Sequence, residues 1–234
     1  MNNKPNIVLV HGAWGDGSSW HKVITNLEKT GHNVFATQLP LTCLDDDVET
    51  TRRLAEAQKG PVILVGHSYG GAVITEAANK IPNVAGLVYT AAYAPDAGEN
   101  LAEMPRHAEP MAMTAAMHAD NYGRLWISKE KFAENFCQDV DKTEANIMAA
   151  VQKPISTQCF ENRLNNAGWK KYPSWYQISQ NDRMLSPALQ RFMAERIKPQ
   201  KTISLPTSHA SMISYPTEIS NLIVQASDHV QANA

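Results

Sequence analysis

No apolar run in this chain approaches the roughly 20 residues that a membrane-spanning helix needs; the longest are the size of a β-strand. No membrane partner is expected. Cysteine is scarce: Cys43, Cys137 and Cys159 are odd in number and scattered. They form neither a disulfide framework nor a metal-type spacing, which fits a reducing compartment. The eight histidines include no His-x-x-x-His pair around a glutamate, so no metal is expected. There is no excess of positive charge: 21 Lys and Arg stand against 23 Asp and Glu, a net charge of -2. With no basic stripe, nothing argues for nucleic acid. The N-terminus "MNNKPNIVLVHG" lacks the charged region, long apolar stretch and small-residue cleavage site of a signal peptide. A cytoplasmic location is the expectation. Internal repeats and low-complexity tracts are also missing.

What is there is the composition of an ordinary soluble globular protein, 43% hydrophobic and 19% charged. At 234 residues the chain can bury a sizeable core, and a single domain over residues 1–234 is the simplest expectation. "NIVLV" (6–10) is a continuous apolar run rich in β-branched residues, as in a strand buried on both faces. A helical segment follows, capped by Ser18 or Ser19 and closed at Gly31. "NVFATQLP", "PVILVGH", "VAGLVYTAA", "SWYQISQ" and "KTISLP" read as further strands. The segments between or after them, including "DDDVETTRRLAEAQKG" and "SPALQRFMAERIK", read as helices, the last starting at Pro216. Strands alternating with helices predict an α/β fold: a mostly parallel sheet of about six strands with helices on both faces. The alternation breaks between about 95 and 170, where no strand-like run is visible. That stretch reads as a helical cap inserted after the fourth strand.

"GHSYGG" (66–71) lies where the third strand gives way to a helix. Chemistry on a parallel sheet sits at the carboxyl ends of its strands. A sharp strand-to-helix turn strains its apex residue and demands small neighbours two positions away. Gly66 and Gly70 meet that demand around Ser68, and Gly71 lets the helix pack closely; this is the nucleophile elbow. An activated serine needs a base, an orienting acid and oxyanion donors. His209, just past the last strand, falls at the same sheet edge. Asp182, after the next-to-last strand, is the favoured acid; Asp96, in a Pro-Asp-Ala-Gly turn, competes but suits local capping better. The oxyanion donors are the backbone N–H of Tyr69 and one from the first βα loop, Ala13 ahead of Gly12. That loop lacks the ending and spacing of a phosphate loop. His67 is expected to point to the other face of the sheet.

Four separated segments, "VLVHGAW", "GHSYGG", "SQNDRMLSPALQRFMAERI" and "TSHASMISYP", together resemble the α/β-hydrolase fold superfamily. More narrowly, the chain is similar to small bacterial hydrolases akin to the plant methylesterase and hydroxynitrile lyase group. The resemblance implies Ser68 as nucleophile, Asp182 as acid, His209 as base, Ala13 and Tyr69 as oxyanion donors, and a helical cap. Cyanogenic lyases of that group carry a threonine and a lysine where this chain has Gly12 and Ala210, so esterase chemistry is the better expectation. Relatives that cleave haloalkanes need an aspartate nucleophile, which Ser68 excludes. The expected partner is a small, neutral, apolar or aromatic ester, with Gly12, Trp14, Met113 and Trp126 as candidate substrate-binding residues. Met104, Met111, Met113 and Met117, with Trp126 and Phe132, either line an adaptable pocket or pack the cap onto the sheet; both readings stand. No cofactor is needed. A non-hydrolytic binding protein and a cyanohydrin or carbon–carbon lyase are the competing readings, and a homodimer is compatible with the sequence.

Overall fold

A computed structural model describes residues 4–107 and 116–233. Six parallel strands form the main sheet: β1 (Asn6–Val10), β2 (Val34–Ala36), β3 (Val62–His67), β4 (Val84–Thr90), β8 (Ser174–Ser179) and β9 (Lys201–Leu205), in the order β2-β1-β3-β4-β8-β9. These are the six strands expected from the sequence. Every residue of β1, β3 and β8 is buried, which requires cover on both faces and explains their unbroken apolar runs. The edge strands β2 and β9 are the partly exposed ones.

Helices α1 (His21–Lys29) and α9 (Pro216–Ala232) pack together, with α9 against β3, β4 and β8. Helices α2 (Leu44–Glu56) and α3 (Tyr69–Ala77) form a second pair, with α3 against β1, β3 and β4. Helix α7 (Pro187–Ile197) begins at a Ser186 cap with Pro187 in its first turn. Among the described residues no helix is long and apolar enough to cross a membrane.

Two local expectations need correction. Neither Ser18 nor Ser19 caps the helical segment that contains α1. A 3-10 turn, Gly17–Trp20, comes first, and the Asp16 carboxylate caps it by accepting the Ser18 N–H at 2.7 Å. An ionised oxygen is the stronger acceptor there. The stretch after β4 is also not purely helical. Besides α4 (Lys129–Phe136), α5 (Lys142–Val151) and α6 (Gln158–Glu161) it holds a small antiparallel sheet of β5 (Met117–Ala119), β6 (Arg124–Ile127) and β7 (Ile155–Ser156). A tight turn joins β5 to β6. The Asp120 Oδ1 atom accepts the N–H groups of Tyr122 and Arg124, and Gly123 takes φ 71°. Strands of two to four residues are too short to show a period of two. The insertion is tied to the body: the Arg124 guanidinium and the Ser156 N–H both donate to the Leu41 carbonyl, and the Lys153 ammonium donates to that of Leu39.

Candidate active site

Strand β3 ends at His67 and α3 begins at Tyr69, so Ser68 is the whole turn between them. Its backbone stands at φ 53°, ψ -122°. A non-glycine residue pays on the order of 1–3 kcal/mol for such a conformation, so its surroundings must impose it. They do so by hydrogen bonds: the Ser68 N–H donates to the Thr90 carbonyl, and the Ser68 carbonyl accepts from Gly71 and Tyr93 at 3.0 and 3.1 Å. The three glycines are close-approach positions. A Cβ on Gly66 would lie 2.6 Å from the Gly70 carbonyl oxygen. One on Gly70 would strike the Val10 and His11 carbonyls, and one on Gly71 that of Tyr93.

His209 follows β9 and is 1% exposed. Its Nδ1 lies 2.7 Å from Asp182 Oδ2. Asp182 is itself buried, and its carboxylate also accepts the N–H groups of Met184 and Leu185 and the Gln190 side-chain amide, all within 2.8 Å. That oxygen can only accept, so His209 Nδ1 carries the proton and Nε2 is left as the basic nitrogen. The loop bearing His209 is anchored by Asp139 of the insertion, which accepts the Ser208 N–H and the Thr207 hydroxyl. His67, the residue before Ser68, ties the same loop: its Nε2–H donates to the His209 carbonyl at 2.8 Å. The rings of His67 and His209 are 4.6 Å apart, and the edge of Phe136 closes on His209 at 5.0 Å. His67 therefore faces the site, contrary to the expectation that it points to the far face. Asp96 is engaged locally, accepting the Ala97 N–H and pairing with Lys170, so it plays no part here.

The loop after β1 completes the arrangement. A Cβ on Gly12 would sit 2.8 Å from the Ser68 Cβ, so the Gly12–Ala13 backbone runs against the serine. Tyr69, the first residue of α3, has an N–H with no acceptor inside its helix. Behind the loop, His11 is fully buried. Its Nδ1 bonds the Gly12 carbonyl at 2.8 Å and its Nε2 accepts the Leu39 N–H at 3.0 Å. Only the neutral ring satisfies both, and burial lowers its pKa from 6.5 to about 4. Below pH 6.5 the unfolded chain takes up a proton that the folded chain refuses. Stability therefore falls as the pH drops through 6.5 to 4, by about 3 kcal/mol from His11 alone. Burial pushes the His67 pKa down as well, adding loss in the same direction. Urea midpoints should fall steeply between pH 7 and pH 4.5; a flat midpoint would contradict this account.

A cavity of about 300 Å³ opens beside Gly12, Ala13 and Trp14. Phe132 and Phe136 of α4, Ile147, Met148 and Val151 of α5, and Met212 wall it. Asp16, Glu144 and His67 also line it, Glu144 holding Lys22 at 2.7 Å; Ser68 and His209 are not in the lining and are reached through their neighbours Gly12, His67 and Phe136. Trp14 is fixed by an N–H bond to the Leu125 carbonyl at 3.0 Å. Trp126 is not among the lining residues. Its indole donates to Asp120 within the small sheet, because alternation on a short strand turns it towards the β5–β6 turn. Met113 and Met111 lie outside the described residues. Met104 is buried in the core, and among the described residues the methionines lining the cavity are Met148 and Met212. Asp139, Gln190 and Phe136 were not singled out in the sequence, since nothing in their spacing marks them.

The model of a family described as the alpha/beta hydrolase family matches residues 7–222. Methylesterase 8 of Arabidopsis thaliana is 25% identical over 245 residues, covering 96% of this chain and 90% of the relative. A pyrethroid hydrolase of Sphingobium wenxiniae is 27% identical over 259 residues, covering 95% and 87%. The crystal structure of a pyrethroid hydrolase from Sphingobium faniae superposes with a TM-score of 0.84 at 25% identity, covering 96% of this chain and 97% of that one.

Proposed function

The chain belongs to the alpha/beta hydrolase family, and from that premise we propose that it is a serine esterase with Ser68 as nucleophile, His209 as base and Asp182 as orienting acid. The observation that carries this reading is the buried 2.7 Å bond between His209 and Asp182, together with a serine held at φ 53° on a strand-to-helix turn directly after His67, whose ring lies 4.6 Å from that of His209. Relatives named as methylesterase and pyrethroid hydrolase support cleavage of carboxylic esters. In the reaction, His209 Nε2 takes the Ser68 proton as the hydroxyl oxygen attacks the ester carbonyl. Asp182 holds the imidazole and stabilises its charged form. The Ala13 and Tyr69 N–H groups stabilise the oxyanion, a contribution of about 3 kcal/mol each. The imidazolium gives its proton to the leaving alcohol. Water, activated by the same histidine, then releases the acid and restores the serine.

The aromatic and aliphatic walls of the cavity and the Asp16 carboxylate in its lining favour a neutral apolar ester over an anionic one, Glu144 being paired with Lys22. A cyanohydrin lyase would lack both the hydroxyl and the cation that such chemistry uses, since Gly12 and Ala210 occupy those places. A panel of p-nitrophenyl esters tests the reading. Neutral acyl groups should turn over, and a hemisuccinate should show a kcat/KM at least about tenfold lower, on the scale of one unfavourable charge contact. Mandelonitrile should survive. Cyanide release, or a preference for the anionic ester, would overturn it.

A further inference from the structure

Tyr69 does more than follow the serine. Its ring is fully buried, and a buried phenol needs a partner. The partner is Asp47, in the first turn of α2, whose Oδ2 accepts the hydroxyl at 2.6 Å. Asp47 is buried as completely. Its other oxygen accepts the N–H of Leu41 at 2.8 Å, and Leu41 is held at φ 59°. The Leu41 carbonyl in turn receives Arg124 and Ser156 from the insertion. The insertion also reaches the pair directly: Cys159 Sγ lies 3.8 Å from Asp47 Oδ2, and Phe160 packs between Tyr69 at 6.1 Å and Trp14 at 6.4 Å. One carboxylate thus joins the serine turn, the loop before α2 and the insertion. A buried carboxylate is a costly tie where a phenylalanine against an apolar neighbour would fill the space.

We propose that Asp47 is a positioning residue: by fixing the Tyr69 ring it holds the Tyr69 N–H in line with the oxyanion and makes that alignment depend on a seated insertion. This rests on the reading of Tyr69 as an oxyanion donor. The ring and the donor N–H share one Cα, so a ring pinned in its buried seat limits how far that Cα, and the N–H with it, can shift. An interaction made with the oxyanion alone affects kcat and leaves KM nearly unchanged.

The test compares Tyr69→Phe, Asp47→Ala and the double variant, with active sites counted by a fluorophosphonate label. Each single variant should lower kcat per labelled site about tenfold with KM within about twofold. Affinity for an aryl trifluoromethyl ketone, which adds to the serine as an oxyanion, should fall by the same factor. The double variant should match Asp47→Ala, since Tyr69→Phe removes nothing that Asp47→Ala leaves in place. A lower Tm with kcat per labelled site unchanged would make the pair a structural tie only and overturn the proposal. If Asp47→Ala does not fold, Tyr69→Phe decides alone. A wild-type chain that neither labels nor turns over would sink the serine-esterase reading, and this assignment with it.

Discussion

Ser68→Ala is expected to lower p-nitrophenyl ester hydrolysis by at least about 10⁴-fold in kcat, with substrate affinity nearly unchanged. Removing the nucleophile of a serine triad leaves only what oxyanion donors and binding supply. Those groups, the proposed N–H donors of Ala13 and Tyr69 and the cavity beside Gly12, should stay in place because the substitution removes one hydroxyl. Alanine inherits the strained φ of 53°, so the Tm should move little. Ser68→Gly, which is free of that strain, should be equally inactive and more stable by about 1 kcal/mol. Initial rates and thermal melts of both variants check the pair of outcomes. An alanine variant within tenfold of wild type would place the chemistry elsewhere.

The second large effect is at Asp182. Asp182→Asn should lower kcat by about 10⁴-fold while the chain stays folded. The amide oxygen can still accept the Met184 and Leu185 N–H groups that Asp182 Oδ1 now holds. Its NH₂ group would then face His209 Nδ1, 2.7 Å away, and the Gln190 amide that now donates to the same oxygen at 2.8 Å, a local cost in stability. A donor there forces the proton onto Nε2, the nitrogen that must be bare to accept from Ser68. The imidazolium formed in the transition state also loses its buried counter-charge. Rates at pH 7 to 8, with circular dichroism to establish folding, read this directly. A well-folded variant retaining a tenth or more of the activity would show that another group orients His209.

The main sheet was legible because its central strands are buried on both faces and announce themselves as continuous apolar runs, as "NIVLV" and "PVILVGH" do. The serine turn was legible because Gly66, Gly70 and Gly71 cannot tolerate a Cβ, so the backbone geometry is written into residue identity. The proposed partners His209 and Asp182 stand out by their positions just past strand ends, and the fold brings them within 2.7 Å of each other. The insertion was less legible. Its strands are two to four residues long, below the length at which alternation declares itself, and its role is carried by single contacts such as Asp139 to the His209 loop. Asp47 was invisible for another reason: among three aspartates opening a helix, all suit the helix dipole, and only packing shows which one turns inward to Tyr69. The side of His67 was not legible because strand alternation counted from Ser68 fails: Ser68 is the turn itself, at φ 53°, and not a strand residue.

The central claim is that an acyl group passes through Ser68. The most direct measurement is mass spectrometry of the chain quenched during turnover of a p-nitrophenyl ester, followed by peptide mapping. The account predicts a mass increase equal to one acyl group, located on Ser68 within Val62–Val73 and missing from Ser68→Ala. Steady turnover with no acyl adduct at any time point, or an adduct on another residue, would contradict it.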